Sequence, residues 1–180
     1  MKISYIRIQN FKSIRDLEIT ELENALILVG KNNTGKTNVI DAILAATGYH
    51  TVCTEEFLDP QKSIDITLSI EFTEEDLQSY QTRGMVSRHR DYEKWLEEFR
   101  SLIPSFQDNT VTFTFHINPE HKVRYNDGFQ KTNPYIREIF PKIYHIDQTR
   151  NLDTLQNDVF SFYDKESFEM LKDNTCTFDP

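Results

Sequence analysis

Hydrophobic residues follow two periods along this chain, and each period predicts a different element. Strict alternation of apolar with polar side chains is typical of a strand with one buried face. Two such segments precede residue 25, and the clearest is the run of isoleucine, leucine and phenylalanine at residues 64–72. The predicted strands are residues 3–8, 16–20, 64–72, 111–117, 123–125 and 142–146, with turns at 118–119 and 126–128.

Apolar residues three and four positions apart predict helices elsewhere. The pattern from 37 onward ends at Gly48, and Thr73 is placed to cap a short helix that continues to about residue 82. A third helix over 92–103 carries an aromatic stripe, which we expect in the core rather than around a ligand. Pro134 suits the first turn of a short fourth helix.

Residues 25–29 form a continuous apolar run, Ala-Leu-Ile-Leu-Val, that fits neither period. A short continuous run bounded by glycine is typical of a strand that is buried on both faces. It predicts a third strand, with a helix close behind it in the chain. What lies between the predicted strand and that helix is therefore the first candidate for chemistry.

Residues 30–37 read Gly-Lys-Asn-Asn-Thr-Gly-Lys-Thr and fit the phosphate-loop spacing GxxxxGK[ST]. Gly30 and Gly35 permit the tight turns by which backbone N–H groups wrap a di- or triphosphate. Lys36 is expected to reach the β- and γ-phosphates, and the Thr37 hydroxyl to complete a Mg²⁺ shell. A turn that only mimics the motif is the alternative, which the flanking strand and helix disfavour. The neighbouring predicted contacts are Asn32, Asn33, Thr34 and Asn38.

Residues 6–14, 30–37 and 38–43 together resemble the N-terminal half of RecF/SMC/Rad50-type ATPase heads. Asn33 stands where SMC and Rad50 heads usually have glycine, and the Asn-Asn pair is most similar to the OLD-family branch. The resemblance implies ATP and Mg²⁺ as ligands. It also implies an α/β fold, a P-loop NTPase head of the ABC type (lobe I), in which an antiparallel β-rich lobe with inserted helices follows the loop helix.

Three residues outside the loop acquire roles from this resemblance. Lys12 is expected to approach the nucleotide, because the Asn-Phe-Lys-Ser segment lies beside the phosphate loop in such heads; an exposed turn lysine is the equal alternative. Gln148 stands where related heads have the Q-loop glutamine that senses Mg²⁺ and the attacking water. Asp147 competes with it as a Mg²⁺-binding aspartate at a strand end, and a strand-end turn without function is the third reading.

The resemblance also predicts domains and partners. Residues 1–150 are expected to form the N-terminal part of an ATP-binding head, and 151–180 to be the start of a following helical or truncated segment. Such heads are completed by a signature segment, a Walker B Asp-Glu pair and a switch histidine, none of which is recognisable here. ATP hydrolysis would therefore depend on those later motifs, and no nuclease domain fits after Arg150. The implied partners are ATP, a second copy or the remaining parts of a head, and DNA through the full assembly.

Two other functions stay open from the sequence. A small P-loop kinase or GTPase is disfavoured by the two strands before the loop and by the absence of Asn-Lys-x-Asp and Asp-x-x-Gly motifs. A non-catalytic, truncated interaction module is kept open by the missing later motifs.

Composition and charge limit the ligands and the cellular location that we expect for this chain. A chain of 180 residues with 38% hydrophobic content can bury one sizeable core. The net charge of −9 argues against a generally basic, DNA-coating surface and leaves only a local groove or another domain for nucleic acid. We expect a cytoplasmic protein without a membrane segment, because no apolar run approaches about 18 residues and no signal peptide is present. The two cysteines and five histidines lack the spacing of a disulfide framework or a metal site.

Overall fold

The computed structural model describes residues 1–20, 22, 25–29, 35–128 and 131–140. The chain divides into two compact units, Met1–Ile143 and Tyr144–Pro180. The strand predicted at 142–146 and the segment predicted at 151–180 lie outside the described residues. The first unit carries the predicted head, and the domain boundaries drawn from the sequence stay a prediction.

Six strands form one antiparallel sheet in the order β2-β1-β3-β4-β5-β6. Their bounds are Lys2–Phe11 (β1), Ile14–Ile19 (β2), Ile64–Glu71 (β3), Thr110–Ile117 (β4), Val123–Asp127 (β5) and Lys131–Thr132 (β6). Each alternating segment of the first unit is thus confirmed as a strand. The turn predicted at 126–128 begins later, because β5 continues through Asp127 and only Gly128, at φ +63°, leaves the strand.

Three α-helices lie where the sequence predicts them: Lys36–Ala46 (α1), Glu74–Thr82 (α2) and Tyr92–Leu102 (α3). Thr73 caps α2 as expected, since its hydroxyl accepts a hydrogen bond from the Asp76 N–H at 3.2 Å. The Asp76 carboxylate returns the contact by accepting from the Thr73 N–H at 2.8 Å, which completes a capping box. Short 3₁₀ helices span Thr54–Glu56 and Pro134–Ile139.

One face of the sheet and the three helices share a single apolar core. The register sets Ile66 of β3 opposite Ile8 on one side and Phe115 on the other, so that the alternating apolar side chains meet on one face. Trp95 and Phe99 of α3 are fully buried in the same core, which confirms that the aromatic stripe is structural.

Residues 25–29 depart from the prediction. They form no regular element, and Ile27 and Val29 are 81% and 89% exposed rather than buried on both faces. A strand exists only when its N–H and C=O groups are hydrogen-bonded to a neighbour. None of the six strands in the described part of the chain pairs with this segment. The expected third strand before the phosphate loop is therefore wrong for these residues.

Strand β1 connects two distant regions of the first unit. Its ten residues span about 33 Å at the usual rise of a strand. At its beginning, the amino group of Met1 forms an ion pair with Asp76 of α2. Beyond its end, Lys12 forms an ion pair with Asp41 of α1. The α1 end and the α2 end of the sheet are therefore separate surfaces. No helix among the described residues is long and apolar enough to cross a membrane.

Candidate nucleotide-binding site

The described part of the phosphate loop is its last turn, where Gly35 leads into α1. Gly35 has φ +88°, in the left-handed region that glycine adopts without strain. A Cβ atom at this position would lie 3.2 Å from the Ser13 hydroxyl oxygen, a tighter approach than an ordinary contact. Glycine is therefore required here both by the backbone and by the turn packed against it.

The N-terminus of α1 has the features of an anion site. Lys36 is the first residue of the helix and Thr37, which is exposed, is the second. No acidic residue lies in the first turn, so no carboxylate of the helix itself offsets the positive end of its dipole. Together with a lysine and a hydroxyl at that end, this arrangement fits the phosphates and Mg²⁺ of a bound nucleotide.

Asn38 points to the β1–β2 turn. Its side-chain amide donates to the Ser13 hydroxyl at 2.8 Å. The sequence predicted Asn38 as a nucleotide contact, a role that stays a prediction, and gave Ser13 no role. The structure shows Ser13 between Gly35 and Asn38, so it holds the β1–β2 turn against the beginning of the helix.

Lys12 lies in the same turn, next to α1. Its ammonium group is 2.6 Å from Asp41 of α1 and 3.1 Å from Glu56 of the following 3₁₀ helix. Its backbone N–H also donates to the Glu56 carbonyl oxygen, at 2.6 Å. Lys12 is thus close to the loop helix, as the resemblance implied, and two carboxylates hold its charge.

Glu56 is the centre of this network. Besides Lys12, its carboxylate contacts His50 Nε2 at 2.8 and 2.9 Å and accepts from the Cys53 N–H at 2.8 Å. Only 13% of the Glu56 side chain is exposed, compared with 26% for Lys12. We name Lys12, Asp41, Glu56 and His50 the lysine network. No sequence pattern reveals the lysine network, because its members are far apart in the chain.

The charges of the lysine network stabilise one another. Burial alone would lower the pKa of Lys12, but hydrogen bonds and charges from Asp41 and Glu56 outweigh it and raise that pKa. Burial would raise the pKa of Glu56, but the Cys53 N–H, Lys12 and His50 together lower it below its usual value. Both groups are therefore held in their charged forms at neutral pH.

Asn10 fixes the other side of the turn. It is buried at 8% exposure with φ +60°, and its side-chain amide donates to the carbonyl oxygens of Asp59, Lys62 and Ser63 at 2.9 to 3.2 Å. The Asp59 N–H donates back to the Asn10 side-chain oxygen at 2.7 Å. In the Asn-Phe-Lys-Ser segment, Asn10 therefore has a structural role that orients Lys12 and Ser13.

Several predicted site residues cannot be placed in this geometry. Gly30, Asn32, Asn33 and Thr34 of the loop, and both Asp147 and Gln148, lie outside the described residues. Within the residues that are described, no group of three or more His, Cys, Asp or Glu side chains is arranged to hold a metal ion. The described carboxylates nearest α1 are engaged with Lys12, so the Mg²⁺ ligand expected from the protein here is the Thr37 hydroxyl.

Comparison with protein families identifies the kind of domain. A family model described as an AAA ATPase domain matches residues 1–177. Comparison with curated proteins finds no match.

Solved structures show the same type of fold. One chain, solved in work on ATP-driven dimerisation and DNA-stimulated activation of SMC ATPases, is similar with a TM-score of 0.54 and 16% identity. The similarity covers 96% of this chain and 98% of that one. It confirms the predicted α/β fold of a P-loop ATPase head with an antiparallel β-rich lobe.

Two SMC heads of greater length are also similar. One, bound to the C-winged-helix domain of ScpA, has a TM-score of 0.49 and 16% identity over 77% of this chain. The other, from Pyrococcus yayanosii and including a coiled coil and joint, has a TM-score of 0.47 and 17% identity over 76%. This chain spans 40% and 24% of their respective lengths.

Proposed function

Since the chain belongs to the AAA ATPase domain family and has the fold of an SMC ATPase head, we propose that it binds Mg²⁺–ATP at the N-terminus of α1. The observation that carries the proposal is the left-handed Gly35 that leads directly into Lys36 and Thr37 at the start of a helix without acidic residues in its first turn. This arrangement suits a polyphosphate whose negative charge matches the dipole and the lysine.

The roles of the individual residues follow from that position. Residues 30–35 would wrap the phosphates with backbone N–H groups, Lys36 would bind the β- and γ-phosphates, and Thr37 would be a ligand of Mg²⁺. The metal ion would neutralise charge on the phosphate oxygens. Gln148, with Asp147 as the alternative, is proposed to sense the metal and the attacking water. Asn38 lies in the first turn of α1 and Lys12 lies beside that helix, and both are proposed to adjust the loop, since Ser13 holds Asn38 and two carboxylates hold Lys12.

We further propose that nucleotide binding brings two heads together. The SMC relative is known from work on ATP-driven dimerisation, and the fold of this chain supports the same behaviour. The partner would be a second copy or the remaining parts of a head, as the length of the larger relatives suggests. Hydrolysis would then require groups supplied by that partner or by the rest of the head.

The biological setting is proposed from the loop sequence. The Asn32-Asn33 pair supports the OLD branch of the family, and hence cytoplasmic, DNA-linked work such as repair or phage defence. A genetic test follows from it: loss of a phage-restriction or repair phenotype on Lys36→Ala substitution would support this setting, and an unchanged phenotype would contradict it.

Nucleotide affinity of the purified chain tests the central claim. Isothermal titration with ATP and Mg²⁺ should show binding by the unmodified chain and a loss of about 10- to 100-fold in Lys36→Ala, the equivalent of one charge-assisted hydrogen bond. Lys62→Ala is the matched control, because Lys62 is an exposed lysine with a surface ion pair to Asp59. It should bind ATP as the unmodified chain does.

The same titration separates the alternatives. Equal ATP affinity in Lys36→Ala and Lys62→Ala would contradict the phosphate-loop assignment. A preference for GTP over ATP would favour the GTPase class instead. Tight binding without turnover, with a doubling of mass in light scattering on addition of Mg²⁺–ATP, would support a nucleotide-gated dimer that needs further groups for hydrolysis.

A further inference from the structure

We propose that the loop between α2 and α3 binds the phosphate backbone of nucleic acid. The surface consists of Arg83, Arg88, His89 and Arg90, and we call it the arginine loop. It is separate from the nucleotide-binding site, so the proposal does not depend on ATP binding.

The sequence around the arginine loop is unlike the rest of this acidic chain. Residues 77–90 contain three arginines and a histidine and no aspartate or glutamate, whereas the whole chain has 29 acidic against 20 basic residues. A local excess of positive charge on a protein of net charge −9 orients an approaching polyanion toward that one surface.

The loop has a defined shape. The Gln81 side-chain amide donates to the carbonyl oxygens of His89 and Arg90 at 3.2 and 2.7 Å, and so ties the end of the loop to α2. The Val86 N–H donates to the Glu138 carboxylate at 2.8 Å on the other side. Between these anchors lies an open hollow of about 530 Å³, lined by the side chains of the arginine loop and by Gln81, Thr82 and Gly84.

The guanidinium groups of Arg88 and Arg90 are available to a ligand, whereas Arg83 Nε donates to the Ser79 carbonyl oxygen at 3.4 Å. Arg83, Arg88 and Arg90 are exposed, and within the described residues none of the three forms an ion pair. The Arg83 guanidinium lies 5.5 Å from the centre of the Tyr80 ring, which limits its orientations. By contrast, the exposed Arg7 is paired with Asp16 through two hydrogen bonds.

Two carboxylates near the loop are used to build it, and a third, Asp91, follows Arg90 and caps α3 by accepting from the Lys94 N–H at 3.0 Å. Glu98 accepts from the buried Ser87 hydroxyl and lies 3.2 Å from His89 Nε2, and Glu138 accepts from the Val86 N–H. Glu98 and Glu138 reduce the positive potential at His89 more than at the arginines, because no arginine of the loop forms an ion pair with either carboxylate. Since Arg83 is held by the Ser79 carbonyl oxygen and the Tyr80 ring, Arg88 and Arg90 should contribute most of the attraction.

Nucleic acid fits this surface better than an acidic protein does. A planar guanidinium group donates two parallel hydrogen bonds to a phosphate, and a nucleic acid backbone presents phosphates at regular spacing to several arginines at once. Phosphate contacts of this type position a duplex without reading its sequence. The arginine loop also lies toward the α2 end of β1, whereas the nucleotide site is at the α1 end, so both ligands have room to bind together.

Fluorescence anisotropy of a labelled DNA duplex, measured without nucleotide across a salt series, tests the proposal. For Arg88→Gln/Arg90→Gln, the slope of log affinity against log salt should fall by about 1.8, and the affinity should weaken about 60-fold at 0.1 M salt. Lys122→Gln/Arg124→Gln is the matched control, since it removes the same charge from two exposed residues at the β4–β5 connection. Its slope should not change.

An equal loss in both double variants, or no DNA binding by the unmodified chain, would overturn the proposal. Displacement of the DNA by poly-glutamate as readily as by unlabelled DNA would show a surface for acidic proteins and overturn it too. If the variant fails to fold by circular dichroism, modification of arginines in the unmodified chain decides. DNA should then protect Arg88 and Arg90 from phenylglyoxal, and protection of Arg124 alone would contradict the proposal.

Discussion

Two apolar segments of this chain have opposite environments. In β3, the side chains of Ile64, Ile66, Leu68 and Ile70 are all fully buried. In residues 25–29, which are apolar throughout, Ile27 and Val29 are among the most exposed hydrophobic residues that the structure describes. The composition of the two segments does not explain the difference. Their neighbours do, because β3 is hydrogen-bonded to β1 and β4, and the segment 25–29 has no paired strand among the described residues.

The comparison shows that burial of a strand depends on its hydrogen-bonding partners as much as on its side chains. A short apolar segment forms a strand only when a neighbouring strand hydrogen-bonds to its N–H and C=O groups. Leu28 packs against the core, but Ile27 and Val29 are exposed and would be buried by an added strand, and this segment leads directly into the phosphate loop. The first two predictions below test this contrast, and the third tests the contacts that join α1 to the β1–β2 turn.

The largest effect is expected from the same substitution made in each segment. Ile66→Ala should lower the free energy of unfolding by about 2–5 kcal/mol, because it leaves a cavity in a fully buried strand. Ile27→Ala, at 81% exposure, should change it by less than about 0.5 kcal/mol. Urea denaturation at equilibrium measures both. A loss of more than 1–2 kcal/mol in Ile27→Ala would mean that the segment is buried in solution.

The second effect is the response of each segment to nucleotide. At 100 times its dissociation constant, Mg²⁺–ATP should add about 2.7 kcal/mol to the free energy of unfolding, because it binds only the folded chain. Hydrogen exchange should slow in residues 25–38 and stay unchanged in β3. In Lys36→Ala, whose affinity is expected to be 10- to 100-fold weaker, the stabilisation at the same ATP concentration should fall to about 0.4–1.4 kcal/mol and the slowing of exchange should weaken with it, while Lys62→Ala should keep both in full. Equal slowing in β3 and in 25–38 would contradict a local site.

The smallest effect concerns the lysine network that joins the β1–β2 turn to α1. The folded-state pKa of Glu56 is lowered below 4.5, so its contribution is complete above that pH and is lost as the pH falls below it. Glu56→Gln should therefore cost about 0.2–1 kcal/mol at neutral pH, and the difference from the unmodified chain should shrink on acidification below pH 4.5.

Glu55→Gln is the control for this prediction, because Glu55 is the exposed neighbour of Glu56 in the same 3₁₀ helix. It should leave the stability unchanged at both pH values. A pH dependence of Glu56→Gln that is identical to that of the unmodified chain would show that the lysine network does not contribute to folding.

Local signals in the sequence were sufficient for much of the fold. The start of α2 follows from Thr73 and Asp76, three residues apart, and the burial of Trp95 and Phe99 follows from helical spacing. These features depend only on nearby residues. The strand predicted at 25–29 was wrong because strand pairing depends on residues far away in the chain, and the apolar content of one segment does not reveal them.

The candidate site likewise has a part that the sequence predicts and a part that only the folded chain shows. Gly35, Lys36 and Thr37 belong to a contiguous motif, so the sequence alone predicted the position of the anion site at the start of a helix. Lys12 and Glu56 are 44 positions apart and meet only in the folded chain, and Ser13 acquires its role from the position of Gly35. No periodicity or spacing in the sequence encodes such contacts.

The contacts of Ser13 with Asn38 and of Lys12 with Asp41 make α1 and the end of β1 a single mechanical part. Strand β1 is hydrogen-bonded to β2 on one side and to β3 on the other, so it cannot tilt without the sheet. If the sheet and α1 tilted together by about 5° at the phosphate loop, the Met1 end, about 33 Å away, would move by on the order of 3 Å, and the start of α2 would move with it. A small rotation at the loop would thus become a larger displacement at the opposite end of β1.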